Sequence, residues 1–313
     1  MKPHLPAPKG TRAAGGLALG VFTASSAAIL IRLAQQGLPS LAVAAWRLTL
    51  AAAALAPLVL LTRRAELRQL SRRDWISLTF SGVLLAVHFG AWISSLAYTS
   101  VAASAVLVAT SPIFVAIGSH VILRERLSGA MALGLVIAIV GASVIGLADI
   151  GQSHGANRLL GNLLAVAGAI TVAGYLLIGR RLRARLSLLA YVFPVYSIAA
   201  AALMLALLFT PLPRVPDRPI TWLWLVLMAL GPQIVGHSAL NWALRYLSAP
   251  IVAVATLAEP IFSTLLAWWV LFEPPSLAVA LGGGLTLIGI GLASLAEKRA
   301  LRGGAPEGQP AEA

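Results

Sequence analysis

Ten long stretches of the chain are almost wholly apolar, and short segments rich in Arg, Pro, Gly and Ser separate them. Stretches of about 20 residues match a hydrocarbon core of roughly 30 Å at a helical rise of 1.5 Å per residue. The strands of a membrane barrel would instead read as ~10-residue segments of alternating polarity, and no such alternation occurs. The pattern predicts ten helical spans, at 15–34, 41–61, 75–98, 102–123, 129–148, 159–178, 188–209, 220–244, 250–272 and 277–296. The predicted fold class is all-α, a polytopic membrane helix bundle. Residues 1–14 are polar and basic, and the first apolar run is longer than the core of a signal peptide. It is read as an uncleaved first helix. Residues 297–313 end in GGAPEGQPAEA, a Gly/Pro-rich composition that predicts a disordered tail.

Composition sharpens this picture. Hydrophobic residues make up 59% of the 313, and charged residues only 11%, where a soluble domain carries about a quarter. No stretch is left over for a separate soluble domain. The chain has no cysteine, which excludes disulfides and thiolate metal sites, and no metal or cofactor set is predicted. The net charge of +13 raises the question of nucleic acid, but the basic residues lie in short clusters between apolar runs. With the N-terminus placed in the cytoplasm, 18 of the 23 Lys and Arg fall in cytoplasmic segments, and only Arg158, Arg214 and Arg218 fall in outer loops. That asymmetry is a topology signal rather than a nucleic-acid footprint. It predicts a multi-pass protein of the cell inner membrane with both termini cytoplasmic. Five tryptophans, Trp75, Trp222, Trp224, Trp268 and Trp269, fall near span ends, where the interface favours amphipathic rings. Trp46 and Trp92 lie deeper.

The chain repeats itself at an offset of 148 residues. Over 96–148 the comparison gives 18 identities in 53 positions without a gap. They include Tyr98 with Tyr246, Pro112-Ile113-Phe114 with Pro260-Ile261-Phe262, Glu125 with Glu273, Gly134 with Gly282 and Gly141 with Gly289. Shared apolar composition does not readily match Pro, Glu, Gly and Tyr at one fixed offset. The repeat unit is five spans, first over 15–148 and again over 159–296. Five is odd, so the second copy enters the membrane inverted. Inverted repeats recur in secondary transporters, where two similar halves exchange roles between inward- and outward-open states.

The paired segments SPIFVAIGSHVILRERLSGAMALG and EPIFSTLLAWWVLFEPPSLAVALG, together with AVAAWRLTLA in span 2, resemble the EamA-like branch of the drug/metabolite transporter superfamily. The resemblance covers about 15–296. It implies a ten-helix transporter, commonly an exporter of amino acids or other metabolites driven by an ion gradient. The Arg of span 2 has no counterpart in YVFPVYSIAAA of the second half, so the two halves are not equivalent.

Polar residues inside the spans are the candidate chemistry. Pro112 and Pro260 occupy equivalent sites, and each removes an amide donor and frees the carbonyl four residues earlier. A kink near mid-membrane is predicted at each, as architecture or hinge. Glu259 is the only acid well inside a span, and its equivalent is Ser111. An ionised carboxylate there is costly unless it is paired or hydrated, so Glu259 binds a cation, binds a proton or forms a buried pair. Arg47 is the one basic residue clearly inside a span. Three roles are open to it: snorkelling to the interface, pairing with Glu259, or binding a substrate carboxylate.

His88 with Trp92, and Gln233 with His237 and Asn241, form polar stripes on spans 3 and 8. Such stripes face protein or water, by interhelical hydrogen bonding or as a cavity lining. Trp46 and Tyr175 add aromatic faces to the same candidate cavity. Gly134, Ala138, Ala142 and Gly146, and the glycines that open span 10 from Gly282, form small-residue stripes for close helix packing, within the chain or in a homodimer.

The partners implied are a small zwitterionic or cationic molecule, the lipid bilayer and a coupling proton, with no nucleic acid. A passive channel stays open as the alternative. A membrane-embedded enzyme would cluster catalytic groups at one membrane face, and the outer loops are short and poor in acids.

Overall fold

The computed structural model describes residues 10–99, 104, 107–125, 128–147, 157–271 and 276–303. Among these residues there are helices and connecting turns and no strand. Seven helices are long and apolar enough to cross a membrane, and three shorter apolar helices complete the ten spans. Span 1 is Gly10–Ser25 with Ala27–Ala34, span 2 Ser40–Thr62, and span 3 Arg72–Ser95. The described part of span 4 holds Ser111–Gly118 and a π-helical turn, Ser119–Leu123. Span 5 is Gly129–Leu147, span 6 Arg158–Arg183 and span 7 Leu188–Leu208. Span 8 is Pro219–Met228, a π-helical segment Ala229–His237 and Ser238–Ala243. Span 9 is Ala249–Thr256 and Glu259–Leu271, and span 10 Leu277–Gly303. Span 10 therefore stays helical past the predicted end at 296: residues 297–303, expected to open a disordered tail, continue the helix, and 304–313 lie outside the described residues.

Local sequence sets where the spans begin. Ser71 caps span 3 in a capping box, its hydroxyl accepting from the Asp74 amide while the Asp74 carboxylate accepts from the Ser71 amide. Ser187 and Asn157 cap spans 7 and 6 through their side-chain oxygens. Pro219 and Pro250 stand in the first turns of their helices, where a missing donor costs nothing.

The two repeated prolines do more than kink their spans. The first helix of span 9 stops at Thr256, and a new helix starts at Glu259 with Pro260 in its first turn. Between them Leu257 and Ala258 make i→i−3 bonds to the carbonyls of Val254 and Ala255. Span 4 repeats the device, with Pro112 in the first turn of Ser111–Gly118. The expected kink is thus a break, because a proline fits the start of a helix without loss and fits the middle badly. Hydroxyls support both breaks: Thr110 Oγ1 donates to the Leu107 carbonyl at 2.6 Å, and Thr256 Oγ1 to the Ala253 carbonyl at 2.7 Å.

The inversion is visible where spans 5 and 10 cross. A Cβ built on Gly134 would lie 2.7 Å from the Gly289 carbonyl and 2.7 Å from the Ala293 amide nitrogen. A Cβ on Gly282 would lie 2.8 Å from the Gly141 carbonyl and 3.0 Å from the Ile145 amide nitrogen. Shifting either set by 148 generates the other. Residue numbers rise along span 5 as their partners fall along span 10, so the two helices run antiparallel about a pseudo-two-fold axis. The small-residue stripe expected either within the chain or at a dimer contact is used within the chain. Spans 1 and 8 pack as spans 6 and 3 do. Gly20 faces Gly236 and Leu240, and Gly168 faces the equivalent His88 and Trp92. Span 2 packs on span 7, its own equivalent. Large apolar side chains such as Leu61, Phe80, Ile117, Val121, Leu133 and Trp269 cover the outside of the bundle, as a lipid-facing surface requires.

Candidate functional site

The polar residues of the bundle interior converge on the same axis. Phe89 and His237 are equivalent positions, and their rings meet edge to face with 5.2 Å between centroids. The Arg47 guanidinium lies over the Phe89 ring, its carbon 4.3 Å from the centroid, a cation–π contact. Arg47 is fully buried, which rules out snorkelling. Its Nε donates to Gln233 Oε1 at 2.8 Å, while both terminal guanidinium nitrogens have no hydrogen-bond partner. Nε2 of Gln233 and Oδ1 of Asn241 are likewise buried without a partner. A buried charged donor left unmatched costs about 1–3 kcal/mol or more. Four polar atoms are thus buried without a partner in one region of the bundle interior.

The surrounding residues hold this cluster in place. His88 Nδ1 lies 2.9 Å from the Gly168 carbonyl. A carbonyl can only accept, so Nδ1 carries the proton in this bond and Nε2 stays an acceptor. Trp92 stacks on His88 at 5.8 Å. The Tyr196 hydroxyl donates to the Gln233 carbonyl at 3.3 Å and lies 3.2 Å from Ser238 Oγ. Asn241 Nδ2 donates to the His237 carbonyl at 2.7 Å and to the Tyr175 hydroxyl. Tyr175 stacks on Tyr191, whose hydroxyl is 2.8 Å from Ser81 Oγ.

Span 8 reaches this centre through its π-helical segment Ala229–His237, which contains Pro232. π-helical turns are rare and gather at functional sites. The equivalent stretch of span 3 is regular α-helix.

Glu259 opens the second helix of span 9, where the positive end of the helix dipole favours a carboxylate. It is half-buried. No ion pair joins it to Arg47 among the described residues.

Of the residues singled out in the sequence, Arg47, His88, Trp92, Tyr175, Gln233, His237 and Asn241 are brought around one centre by the contacts above, and Glu259 stands at the break of span 9. Trp46 is not brought there. Its indole nitrogen donates to the Arg214 carbonyl at 2.7 Å and its ring packs on Trp222 at 4.8 Å, at the loop end of span 2. Phe89 and Tyr196 also belong to the centre and were not singled out in the sequence. Pairing position 89 with position 237 at the repeat offset would have pointed to the first.

At the Arg-rich end of the bundle, three contacts tie the halves together. Arg180 Nε meets Glu125 Oε1 at 2.9 Å, Arg185 pairs with Asp74, and the Ser187 amide donates to Glu66 Oε1 at 2.8 Å. The hydrogen bond that Arg185 donates to the Asp74 carboxylate favours the charged guanidinium and raises its pKa above the ordinary arginine value. Glu273, the counterpart of Glu125, lies outside the described residues.

An inverted pair of five-helix units, broken helices and a buried polar centre on the axis define a membrane transporter architecture. The sequence places it further. The model of the EamA-like transporter family matches twice, over residues 12–147 and 159–295, and the chain belongs to that family. It is 27% identical over 238 residues to the uncharacterized transporter sll1164 of Synechocystis, covering 72% of this chain and 66% of that protein. It is 26% identical over 255 residues to the uncharacterized transporter YyaM of Bacillus subtilis, covering 80% of this chain and 83% of that one. It is 28% identical over 271 residues to the pseudopaline exporter CntI of Pseudomonas aeruginosa, covering 86% and 91%. A solved crystal structure superposes with a TM-score of 0.78 over 93% of this chain and 99% of that chain, at 23% identity, which is a likeness of fold.

Proposed function

We propose that the protein is a secondary active exporter of small metabolites that carry a carboxylate beside a cationic group, the amino acids among them. It works by alternating access in the cell inner membrane, with both termini in the cytoplasm. The observation that carries this reading is Arg47: a buried guanidinium, fixed through Nε by Gln233, with both terminal nitrogens unmatched. A guanidinium anchored at Nε presents its outer edge as a two-pronged donor, the geometry that takes a carboxylate. Gln233 Nε2 adds a donor, and Asn241 Oδ1 adds an acceptor for an ammonium or hydroxyl group. Glu259, with no ion-pair partner among the described residues, faces the cationic part of the substrate or the coupling proton. The family and the exporter CntI among the relatives support export as the direction.

The test is counterflow in liposomes preloaded with candidate compounds, beginning with amino acids. Zwitterions should be taken up transiently against their gradient. Flux that dissipates with no such overshoot describes a channel and rejects the reading.

A further inference from the structure

The two ends of the bundle are built from equivalent residues but are not in the same condition. Spans 3 and 8 end with the same hydrogen bonds. The amides of Ala97, Tyr98 and Thr99 bond to the carbonyls of Ser94, Ser95 and Ser95, and those of Arg245, Tyr246 and Leu247 to the equivalent Trp242, Ala243 and Ala243. At the Arg-rich end the neighbouring space is closed. Arg180 bonds at once to the Glu125 carboxylate, 2.9 Å, and to the Leu244 carbonyl, 2.9 Å. Ser119 Oγ holds the other Glu125 oxygen at 2.7 Å. Arg183, 1% exposed, donates to the carbonyls of Asn241 and Leu186. The Arg180 guanidinium thereby joins the ends of spans 4, 6 and 8, across the two halves.

At the opposite end the equivalent space is open. Gln35, Leu38, Pro39, Ser40, Leu96 and Ala97 line a pocket of about 180 Å³. Three of these, Gln35, Leu38 and Leu96, are the counterparts of Arg183, Leu186 and Leu244 at the offset of 148. Gln35 bonds only locally, to Ser40 Oγ at 3.0 Å. The counterpart of Arg180 is Arg32, an arginine at the same offset. The residue is exposed, and its side chain makes no hydrogen bond or ion pair to any described residue.

We propose that the Arg180–Glu125 pair with the Leu244 carbonyl is the latch that closes the Arg-rich end of the central cavity, and that Arg32 closes the opposite end on the Leu96 carbonyl when that latch opens. The inference rests on the alternating-access reading above. The structure is then the state open away from the Arg-rich end. The latch suits a switch: the two side chains are 27% and 24% exposed, so the pair is neither a deeply buried tie nor a freely solvated one. The same side chain, arginine, stands ready at both ends, and each closure excludes the other because one rocking motion of the halves makes one and breaks the other.

The chain has no cysteine of its own, so single reporters can be read cleanly. Ser81→Cys reports the Arg-rich side of the cavity, where Ser81 is buried against Tyr191, and Gln35→Cys reports the open pocket. Membrane-impermeant maleimide is applied from each side of oriented vesicles. In the parent, the Gln35→Cys reporter labels fast and the Ser81→Cys reporter slowly. Glu125→Gln, or Arg180→Gln where the former does not fold, should raise labelling of the Ser81→Cys reporter by about tenfold from the Arg-rich side and lower that of the Gln35→Cys reporter together with it. Adding Arg32→Gln should reverse both changes, and Arg180→Lys should keep the parent pattern. Unchanged labelling of both reporters in folded latch variants overturns the latch and leaves the transporter reading standing. A gain at the Ser81→Cys reporter with no loss at the Gln35→Cys reporter overturns the exchange between ends, and the carrier reading with it.

Discussion

Phe89 and His237 stand 148 residues apart in the sequence, occupy the same position in the two halves, and touch each other edge to face. Two equivalent residues can meet only near the axis that relates their halves. Arg47 lies over the ring of Phe89, and no arginine stands at the equivalent place in span 7, where Val195 is found. The scaffold is thus paired and the chemistry is single. The packing of the halves repeats at the offset of 148, while Arg47 and Glu259 have Val195 and Ser111 as their equivalents, so the charge of the centre does not repeat.

The crossing of spans 5 and 10 predicts equal sensitivity at equivalent positions. Gly134→Val and Gly282→Val each drive a side chain into the opposing backbone, at contacts of 2.7 and 2.8 Å for the first carbon alone. Each should cost about 1–3 kcal/mol by overpacking, and the two costs should agree. Thermal melting of the purified variants checks this. A large loss at one and none at the other would speak against the pseudo-two-fold packing.

Glu259→Gln removes a charge and keeps a hydrogen-bonding side chain. Under the proposed coupling, transport driven by a proton gradient should fall at least about tenfold, the equivalent of 1.4 kcal/mol, while exchange of substrate at equal pH persists. Full gradient-driven transport by the variant would remove Glu259 from coupling.

His88 holds the carbonyl of Gly168 across spans 3 and 6. Losing that bond in His88→Phe should destabilise the protein by about 1 kcal/mol, and His88→Gln, which can donate again, should recover part of it. Melting temperatures of the two variants decide it. Equal melting for both and for the parent would show that the bond contributes nothing.

The distribution of basic residues predicts a cytoplasmic C-terminus. A reporter enzyme that is active only outside the cytoplasm, fused after residue 313, should be silent. Activity of that fusion would reverse the proposed orientation.

Much of the fold was legible because a bilayer imposes a length: the ten apolar runs became the ten observed spans, most to within a few residues. The repeat was legible because Pro, Gly, Glu and Tyr kept one offset. The form of the proline sites was not, since the sequence marks where a helix is disturbed but not whether it bends or restarts, as it does at Glu259. The π-helical winding of span 8 over Ala229–His237 had no periodic signature in the sequence. Arg47, Gln233 and Glu259 were visible as polar residues in apolar runs. Phe89 and Tyr196 were not, because an aromatic in a membrane helix reads as core until a cation is seen above its face or its hydroxyl is seen bonded.

The central claim is that Arg47 is the carboxylate receptor of a carrier, and counterflow by Arg47→Gln beside the parent tests it most directly. The parent should show overshoot with a zwitterionic substrate. The variant should lose it, with affinity down by roughly ten- to a hundredfold, and should melt no lower than the parent, because a buried charge with two unmatched nitrogens has been removed. A variant that transports as well as the parent would contradict it.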